Sequence, residues 1–283
     1  MWIFLGLMLR KCSNNIKLDN GDFAMPKFTQ SYFVTGHDID LNYRMVPMSA
    51  LAYFEDCFAR YAASKYLAAF DIAGHGLYWV ISEIDIRFEG DLPFWSEGFQ
   101  VDLWISEKSK IKIFCDFTMS YRGKVFAKGN SCWLVLDKNR KRPAATTLLE
   151  GKMDVVEELA IGEHGKFEWK DSGEVLHSIT HQVNMGDIDF NRHVNNRTYL
   201  NLAVACHAET FGYENTIKSI KVRFGQECFM GDTLACTEYG LGGNVCSYKL
   251  EKGDSTVCNV VFEWEQLEKK TPIEEYPLSV REG

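Results

Sequence analysis

The central motif of this chain is Asp187-Ile188-Asp189-Phe190-Asn191-Arg192-His193-Val194-Asn195-Asn196. It places a carboxylate, a carboxamide and an imidazole at alternate positions, on Asp189, Asn191 and His193. Apolar residues then recur at helical spacing on more than one face, which predicts a helix over 195–211 that is buried on several sides. Acid and base groups just before a helix lie where free backbone N–H groups polarise a carbonyl oxygen. The stretch therefore predicts a catalytic loop at the start of a central helix wrapped by a sheet.

An earlier part of the chain repeats this pattern. Asp38-Ile39-Asp40-Leu41-Asn42 matches 187–191 at an offset of 149 positions, and both copies precede an apolar helix. Ile84-Asp85-Ile86-Arg87-Phe88 matches Ile220-Lys221-Val222-Arg223-Phe224 at an offset of 136. Two copies of one helix with several strands indicate a tandem duplication. We predict an α+β fold in which the two antiparallel sheets pair into one.

Each copy combines one helix with a run of strands. Ser49 is the predicted N-cap of a long helix in the first copy, where apolar residues recur at helical spacing from Ala50 to Tyr61. Alternating patterns predict strands at 99–105, 111–121, 234–239, 245–250 and 257–264. Residues 137–173 lack such a pattern, and we interpret them as a connection with a short helix near 153–159.

These patterns divide the chain into a leader at 1–24, a first copy at 25–150, a linker at 151–175, a second copy at 176–270 and a tail at 271–283. The apolar stretch Trp2–Leu9 is far too short to cross a bilayer. Met25 offers an alternative start, which we favour over a membrane anchor for the leader. Residues 1–24 are therefore placed outside the fold.

The two copies differ at the polar positions that carry chemistry. His193 is matched by Arg44 in the first copy, Asn196 by Pro47, and Glu227 by Asp91. The Asp-Ile-Asp-x-Asn shared by both copies is therefore interpreted as partly structural. The second copy alone has its particular set of polar residues: His193, Asn195, Asn196, Glu227 and Cys228. We expect one active site rather than two.

Two segments also carry a family resemblance. Asp-x-Asn-x-His-Val-Asn-Asn at 189–196, followed by Tyr199 and Leu200, resembles the active-site segment of the plant and bacterial acyl-ACP thioesterases. Phe224-Gly225-Gln226-Glu227-Cys228 resembles the Glu-Cys segment of the same family. The resemblance implies a tandem (double) hotdog, with two long helices each wrapped by an antiparallel sheet. It also implies hydrolysis of fatty acyl groups held on the phosphopantetheine of acyl carrier protein, within fatty acid biosynthesis.

The resemblance implies a role for each candidate residue. Asp189 is the general base for water or itself the attacking carboxylate, and these two alternatives stay open. Asn191 and His193 position water and stabilise the leaving thiolate side, while Glu227 assists the base. The first copy then supplies the acyl-chain pocket. No metal or organic cofactor is expected, because a thioester is already activated.

Cys228 allows two interpretations. With His193 and Asn191 it would form a Cys-His-Asn arrangement with a nucleophilic thiol. The alternative is a buried apolar side chain, the commoner role of a free cysteine. We favour the second, because the neighbouring charge of Glu227 disfavours a thiolate.

Composition limits the possible partners and the compartment. The net charge of −8 and the pI near 5.5 argue against a general nucleic-acid binder. Nine cysteines, an odd number with no Cys-x-x-Cys pair, indicate reduced thiols and a cytoplasmic protein. An acidic carrier protein would need a local basic surface, for which Arg140-Lys141-Arg142 and Lys108/Lys110/Lys112 are the candidates.

Other functions remain as alternatives at this point. An acyl-CoA thioesterase shares the chemistry with a different carrier. A hotdog acyl-thioester hydratase would use an Asp/His dyad, and the Asn-x-His-Val-Asn-Asn run with Glu227 points away from it. A non-catalytic acyl-binding module would leave these polar groups without a role. Two fused copies either satisfy each other's sheet edges or form a homodimer.

Overall fold

The structure is a computed structural model that describes residues 27–162, 164, 173–207 and 215–267. The first half contains β1 (Phe28–Phe33), α1 (Ser49–Ser64), α2 (Ala69–Ala73), β2 (Leu77–Phe88), β3 (Gly98–Lys108), β4 (Lys112–Tyr121), β5 (Lys124–Asp137), β6 (Arg142–Pro143) and a 3₁₀ turn (Thr146–Leu149). The second half contains β7 (Glu174–Gln182), a 3₁₀ turn (Met185–Asp187), α3 (Asn196–Cys206), β8 (Asn215–Phe224), β9 (Thr233–Gly240), β10 (Val245–Lys252) and β11 (Ser255–Gln266). The leader at 1–24, the tail at 271–283 and most of 163–172 lie outside the described residues.

The two halves form one continuous antiparallel sheet. Its strand order is β1-β3-β4-β5-β2-β8-β11-β10-β9-β7, so the second half repeats the first outward from the central β2–β8 pair. Asp85 on β2 pairs with Lys221 on β8, its own counterpart in the repeat. Their side chains form an ion pair, with Nζ 3.7 Å from Oδ2. The predicted duplication with paired sheets is confirmed, and so is the double hotdog that the family resemblance implies.

Helix α1 packs its apolar face against the inner side of the first half-sheet. Phe54 stacks on Phe117 with ring centroids 4.3 Å apart, and Phe58 stacks on Trp133 at 3.9 Å. Ser49 is the first helical residue and not the predicted N-cap, which is Met48. The hydroxyl of Ser49 donates to Asp38 at 2.8 Å. It therefore does not cap a backbone N–H group of the helix. That part of the prediction was wrong.

Helix α3 is buried but shorter than predicted. It begins at Asn196, after the N-cap Asn195, and ends at Cys206 rather than near residue 211. His207 has an extended backbone, with φ −72° and ψ 149°, and its ring bonds to Glu238 on β9. This contact turns the chain out of the helix. Residues 208–214 lie outside the described residues.

The connection contains no helix near 153–159, contrary to the prediction. Val155 instead forms a parallel bridge with Ile105 on β3, and Val156 donates to the carbonyl of Ile105 at 2.8 Å. The indole of Trp104 donates to the carbonyl of Glu158 at 2.7 Å. The backbone of this segment therefore bonds to β3, with one turn bond of its own from the N–H of Glu158 to the carbonyl of Val156 at 2.7 Å. None of the helices in the described ranges is both long and apolar enough to cross a membrane.

Candidate active site

The loop before α3 is a tight turn built on Asp189. Its Oδ1 accepts hydrogen bonds from the backbone N–H groups of Asn191, at 2.8 Å, and His193, at 3.1 Å. The Asp189 N–H donates to the carbonyl of His193 at 2.8 Å, and Arg192 takes a positive φ of 67°. The side chains of Asn191 and His193 are thereby presented on the same turn as the carboxylate.

The first copy contains the same turn. Asp40 Oδ1 accepts from the N–H groups of Asn42, at 2.8 Å, and Arg44, at 3.0 Å, while Tyr43 has a φ of 58°. One carboxylate oxygen is thus structural in both copies. In the second copy, the other oxygen of Asp189 receives, among the described residues, one long bond of 3.3 Å from the Asn191 carboxamide. That oxygen retains lone pairs for chemistry.

His193 and Glu227 lie together at the front of this turn. The His193 Nε2 atom is 3.7 Å from Glu227 Oε2, and the imidazole meets the Phe229 ring edge-to-face at 5.2 Å. Two residues of the first copy bind the carboxylate of Glu227. Tyr78 donates to Oε1 at 2.9 Å, and Lys141 donates to Oε2 at 2.9 Å. The site therefore takes side chains from both copies.

Electrostatics keep Glu227 ionised. Burial raises the pKa of this carboxyl, but the hydrogen bonds from Lys141 and Tyr78 and the nearby His193 outweigh burial, so its pKa lies below the ordinary value. A fixed negative charge beside His193 stabilises positive charge as it develops on the imidazole.

The start of α3 supplies one available N–H donor. The Asn195 side chain accepts from the N–H of Arg197 at 2.8 Å, the Asn195 N–H donates to Asp187, and the Thr198 N–H donates to Asn195. The Asn196 N–H has no hydrogen-bond partner among the described residues. Its side chain donates to Glu55 on α1 at 2.6 Å. Of the two asparagines, Asn195 caps the helix and Asn196 presents the N–H.

Cys228 occupies a buried position behind the turn. Its side chain has no exposed surface, and burial raises the pKa of the thiol. The thiol points to the carbonyl of Gln226 at 3.8 Å, and the Cys228 carbonyl accepts from the N–H of Val194 at 2.8 Å. Within the described residues no hydrogen bond joins Cys228 to His193. These contacts support packing and not a nucleophilic thiolate.

Three residues of the site, Glu55, Tyr78 and Lys141, were not predicted from the sequence. Their partners lie 141, 149 and 86 positions away in the chain. The sequence indicates Lys141 only as part of the basic turn that is a candidate for carrier docking. Glu55 carries the one available signal, because it shares a helical stripe with the buried residues Leu51 and Phe58.

A second polar cluster lies at the other end of α3. The possible ligand atoms of His207, Glu238 and Cys246 lie within 4.8 Å of one another. The imidazole is already bonded to the buried Glu238, and the Tyr248 hydroxyl contacts both, at 2.9 and 3.1 Å. Burial raises the pKa of Glu238, but the contacts with His207, Cys246 and Tyr248 together bring it below the ordinary value. The hydrogen bond between His207 and Glu238 fixes the end of α3 to the sheet.

Comparison with known proteins identifies related chains. Residues 25–148 match the family model of the acyl-ACP thioesterase N-terminal domain, and residues 172–266 match that of the acyl-ACP thioesterase C-terminal domain. Among proteins with curated functions, none matches.

Two solved structures share the fold over most of both chains. An acyl-ACP thioesterase from Bacteroides thetaiotaomicron is 20% identical, covering 84% of this chain and 97% of its own, with a TM-score of 0.70. The 12:0-ACP thioesterase from Umbellularia californica is 16% identical, covering 85% and 97%, with a TM-score of 0.74.

Proposed function

Because the chain belongs to the acyl-ACP thioesterase family, we propose that Asp189, Asn191, His193 and Glu227 carry out its hydrolysis of fatty acyl-ACP thioesters. The observation that supports this assignment is that the two carboxylate oxygens of Asp189 have different contacts. One oxygen builds a turn that the first copy also has, and the other is left to react.

In the proposed mechanism, Asp189 Oδ2 accepts a proton from water as the water oxygen attacks the thioester carbonyl carbon. The C–S bond then breaks, and the proton that Asp189 took from water passes by way of His193 to the leaving thiolate, which returns Asp189 to its carboxylate form. Asn191 orients the water, and Glu227 stabilises positive charge on the imidazole. Direct attack by the Asp189 carboxylate remains the alternative, in which water cleaves the resulting anhydride in a second step.

The oxyanion that forms on the carbonyl is assigned to the Asn196 N–H. This donor lies at the N-terminus of α3, where the helix dipole favours negative charge. Loss of one such donor typically costs on the order of 10²-fold in rate. Tyr78 and Lys141 form a wall of the site from the first copy, which supports the assignment of the acyl-chain pocket to that copy.

We assign carrier-protein docking to the basic turn Lys138–Arg142. Its four cationic side chains, Lys138, Arg140, Lys141 and Arg142, are exposed, and the bond from Lys141 to Glu227 places the turn beside the site. In the other candidate patch, the Lys108 ammonium donates to the carbonyl of Met153 in the connection. The turn is thus the better docking surface for an acidic partner.

A reducing, cytoplasmic compartment suits the chain, because all eight cysteines in the described ranges are unpaired. A homodimer through an edge strand, β1 or β7, remains an alternative to a monomer. Sedimentation over a range of protein concentrations distinguishes the two.

The test compares Asp189→Asn with Asp40→Asn, its matched control in the first copy. An amide oxygen still accepts the turn hydrogen bonds, so both variants are expected to fold. Thiol release from acyl-ACP should fall by about 10²-fold or more in Asp189→Asn and stay near wild type in Asp40→Asn. Near-normal turnover in Asp189→Asn would contradict the assignment. The same assay with acyl-CoA measures carrier preference.

A further inference from the structure

Glu55 is an acidic residue on the buried side of α1. It lies four residues after Leu51 and three before Phe58, both of which are buried, so it shares their helical stripe. Its side chain is partly buried, and Oε1 accepts a hydrogen bond from the Asn196 carboxamide at 2.6 Å. A carboxyl group on an apolar stripe costs free energy unless it is paired, and among the described residues Asn196 is the side chain that pairs with Glu55.

This bond connects the first copy to the start of the catalytic helix. Asn196 is the first residue of α3 and supplies the N–H assigned to the oxyanion. Arg197, the next residue, turns to Asp38 at 3.0 Å and Ser49 at 3.4 Å. The Arg197 side chain therefore contacts Asp38 before α1 and the first residue of that helix, while Asn196 contacts Glu55 about one and a half turns further along.

The Glu55–Asn196 pair occurs once in the duplicated fold. At the repeat offset of 149, Glu55 corresponds to Val204 and Asn196 corresponds to Pro47. Neither replacement can make this bond. His193 and Glu227 occur only in the second copy. Glu55 likewise has no counterpart in the other copy, although it lies in the first.

The surroundings affect the ionisation of Glu55. Burial raises its pKa to about 7, with the bond from Asn196 opposing and the negative charge of Asp189 adding to the shift. Asp189 is the charged group that acts on it, and Asn196 is neutral. The two carboxyl groups are therefore electrostatically coupled.

We propose that Glu55 is a positioning residue of the active site, which holds Asn196 at the start of α3 and sets the charge beside Asp189. This inference rests on the proposed role of Asp189. It makes the helix of the first copy part of the catalytic apparatus of the second.

The test uses the full chain with Glu55→Gln, Glu55→Ala and Asp56→Asn. Asp56 is the matched control, because its carboxylate lies on the same helix but bonds to Tyr32 at 2.8 Å and Arg60 at 2.5 Å. Glu55→Gln keeps the acceptor for Asn196 and removes the charge. Its kcat should match wild type within about threefold at pH 5–6, where Glu55 is mostly protonated, and should lack the wild-type inflection near pH 7.

Glu55→Ala should lower kcat by about tenfold at every pH with little change in KM, because Asn196 loses its acceptor. The glutamine variant should restore most of that loss, and circular dichroism should show both variants folded. Parallel pH profiles for wild type and Glu55→Gln would overturn the proposal, and so would an equal change in Asp56→Asn. Near-normal activity of Asp189→Asn would instead refute the underlying mechanism, so the two failures are distinguishable.

Discussion

Arg197 joins the two copies through Asp38, with Nη1 3.0 Å from Oδ1. Asp38 also accepts hydrogen bonds from Thr35, Ser49 and Tyr53, at 2.6, 2.8 and 3.0 Å. Burial raises the pKa of Asp38, but these donors and Arg197 together bring it below the ordinary value. The loop before α1 and the first turn of α3 are therefore held in one charged network next to the site.

Arg197→Met should lower the free energy of unfolding by about 1–3 kcal/mol, because it removes a charged donor from a mostly buried carboxylate. The pKa of Asp38 is lower in the folded protein than its ordinary value of 3.8. The ionised carboxylate therefore stabilises the fold at pH values above 3.8, and this stabilisation is lost as the pH falls through the pKa of the folded protein. The difference from wild type should therefore shrink in acid. Urea unfolding at pH 7 and at a series of pH values below 3.8 measures both.

Arg60→Met is the control for this measurement. Arg60 pairs with Asp56 at 2.5 Å on the exposed side of α1, and such helix pairs contribute about 0.3–0.5 kcal/mol. A loss in Arg197→Met no larger than in Arg60→Met would show that the inter-copy network contributes little.

Tyr78→Phe should lower kcat by about tenfold while the fold is retained, because Glu227 loses one of the two donors that orient it towards His193. Tyr121→Phe is the control, since Tyr121 donates to Glu97 beside Arg122 and reproduces the Tyr–Glu–cation arrangement away from the site. Steady-state kinetics with acyl-ACP provide the measurement. Equal kcat values for the two variants would remove Tyr78 from the catalytic assembly.

Cys228→Ala should keep activity within about threefold of wild type and lose about 1–2 kcal/mol of stability, because the thiol fills a buried space. Thiol-release kinetics and thermal unfolding test the two parts. A complete loss of turnover with native stability, together with an acyl adduct on the wild-type thiol, would establish Cys228 as a nucleophile.

Arg140→Glu and Arg142→Glu should raise the KM for acyl-ACP by about tenfold and leave that for acyl-CoA nearly unchanged, because the turn meets the carrier and not the thioester. Lys110→Glu in the alternative patch is the control. Added salt should weaken wild-type turnover of acyl-ACP more than that of acyl-CoA. Equal responses of the two substrates would exclude docking on this turn.

The duplicated fold was predictable because its repeats are local. Asp38–Asn42 and Asp187–Asn191 form turns whose hydrogen bonds span only two to four residues, so sequence order determines the geometry. The joining of the two sheets was predicted from the duplication, whereas the structure identifies β2 and β8 as the strands that join them.

The remaining errors come from contacts between distant segments. His207 leaves α3 because Glu238, on a strand, bonds to its ring. The residues 153–159 are extended because β3 offers backbone partners. Glu55 and Tyr78 enter the site only after the two copies have folded together. None of these relationships has a spacing that a pattern along the chain can detect.

The pairing of Asp85 with Lys221 has an evolutionary consequence. In a dimer of two identical ancestral chains, the residue on the symmetry axis would have met its own twin, so any charge there would have repelled itself. In a single polypeptide the two positions need not be identical, and here they carry opposite charges that attract each other. The residue pair at the centre of the sheet therefore shows that the two halves are no longer interchangeable.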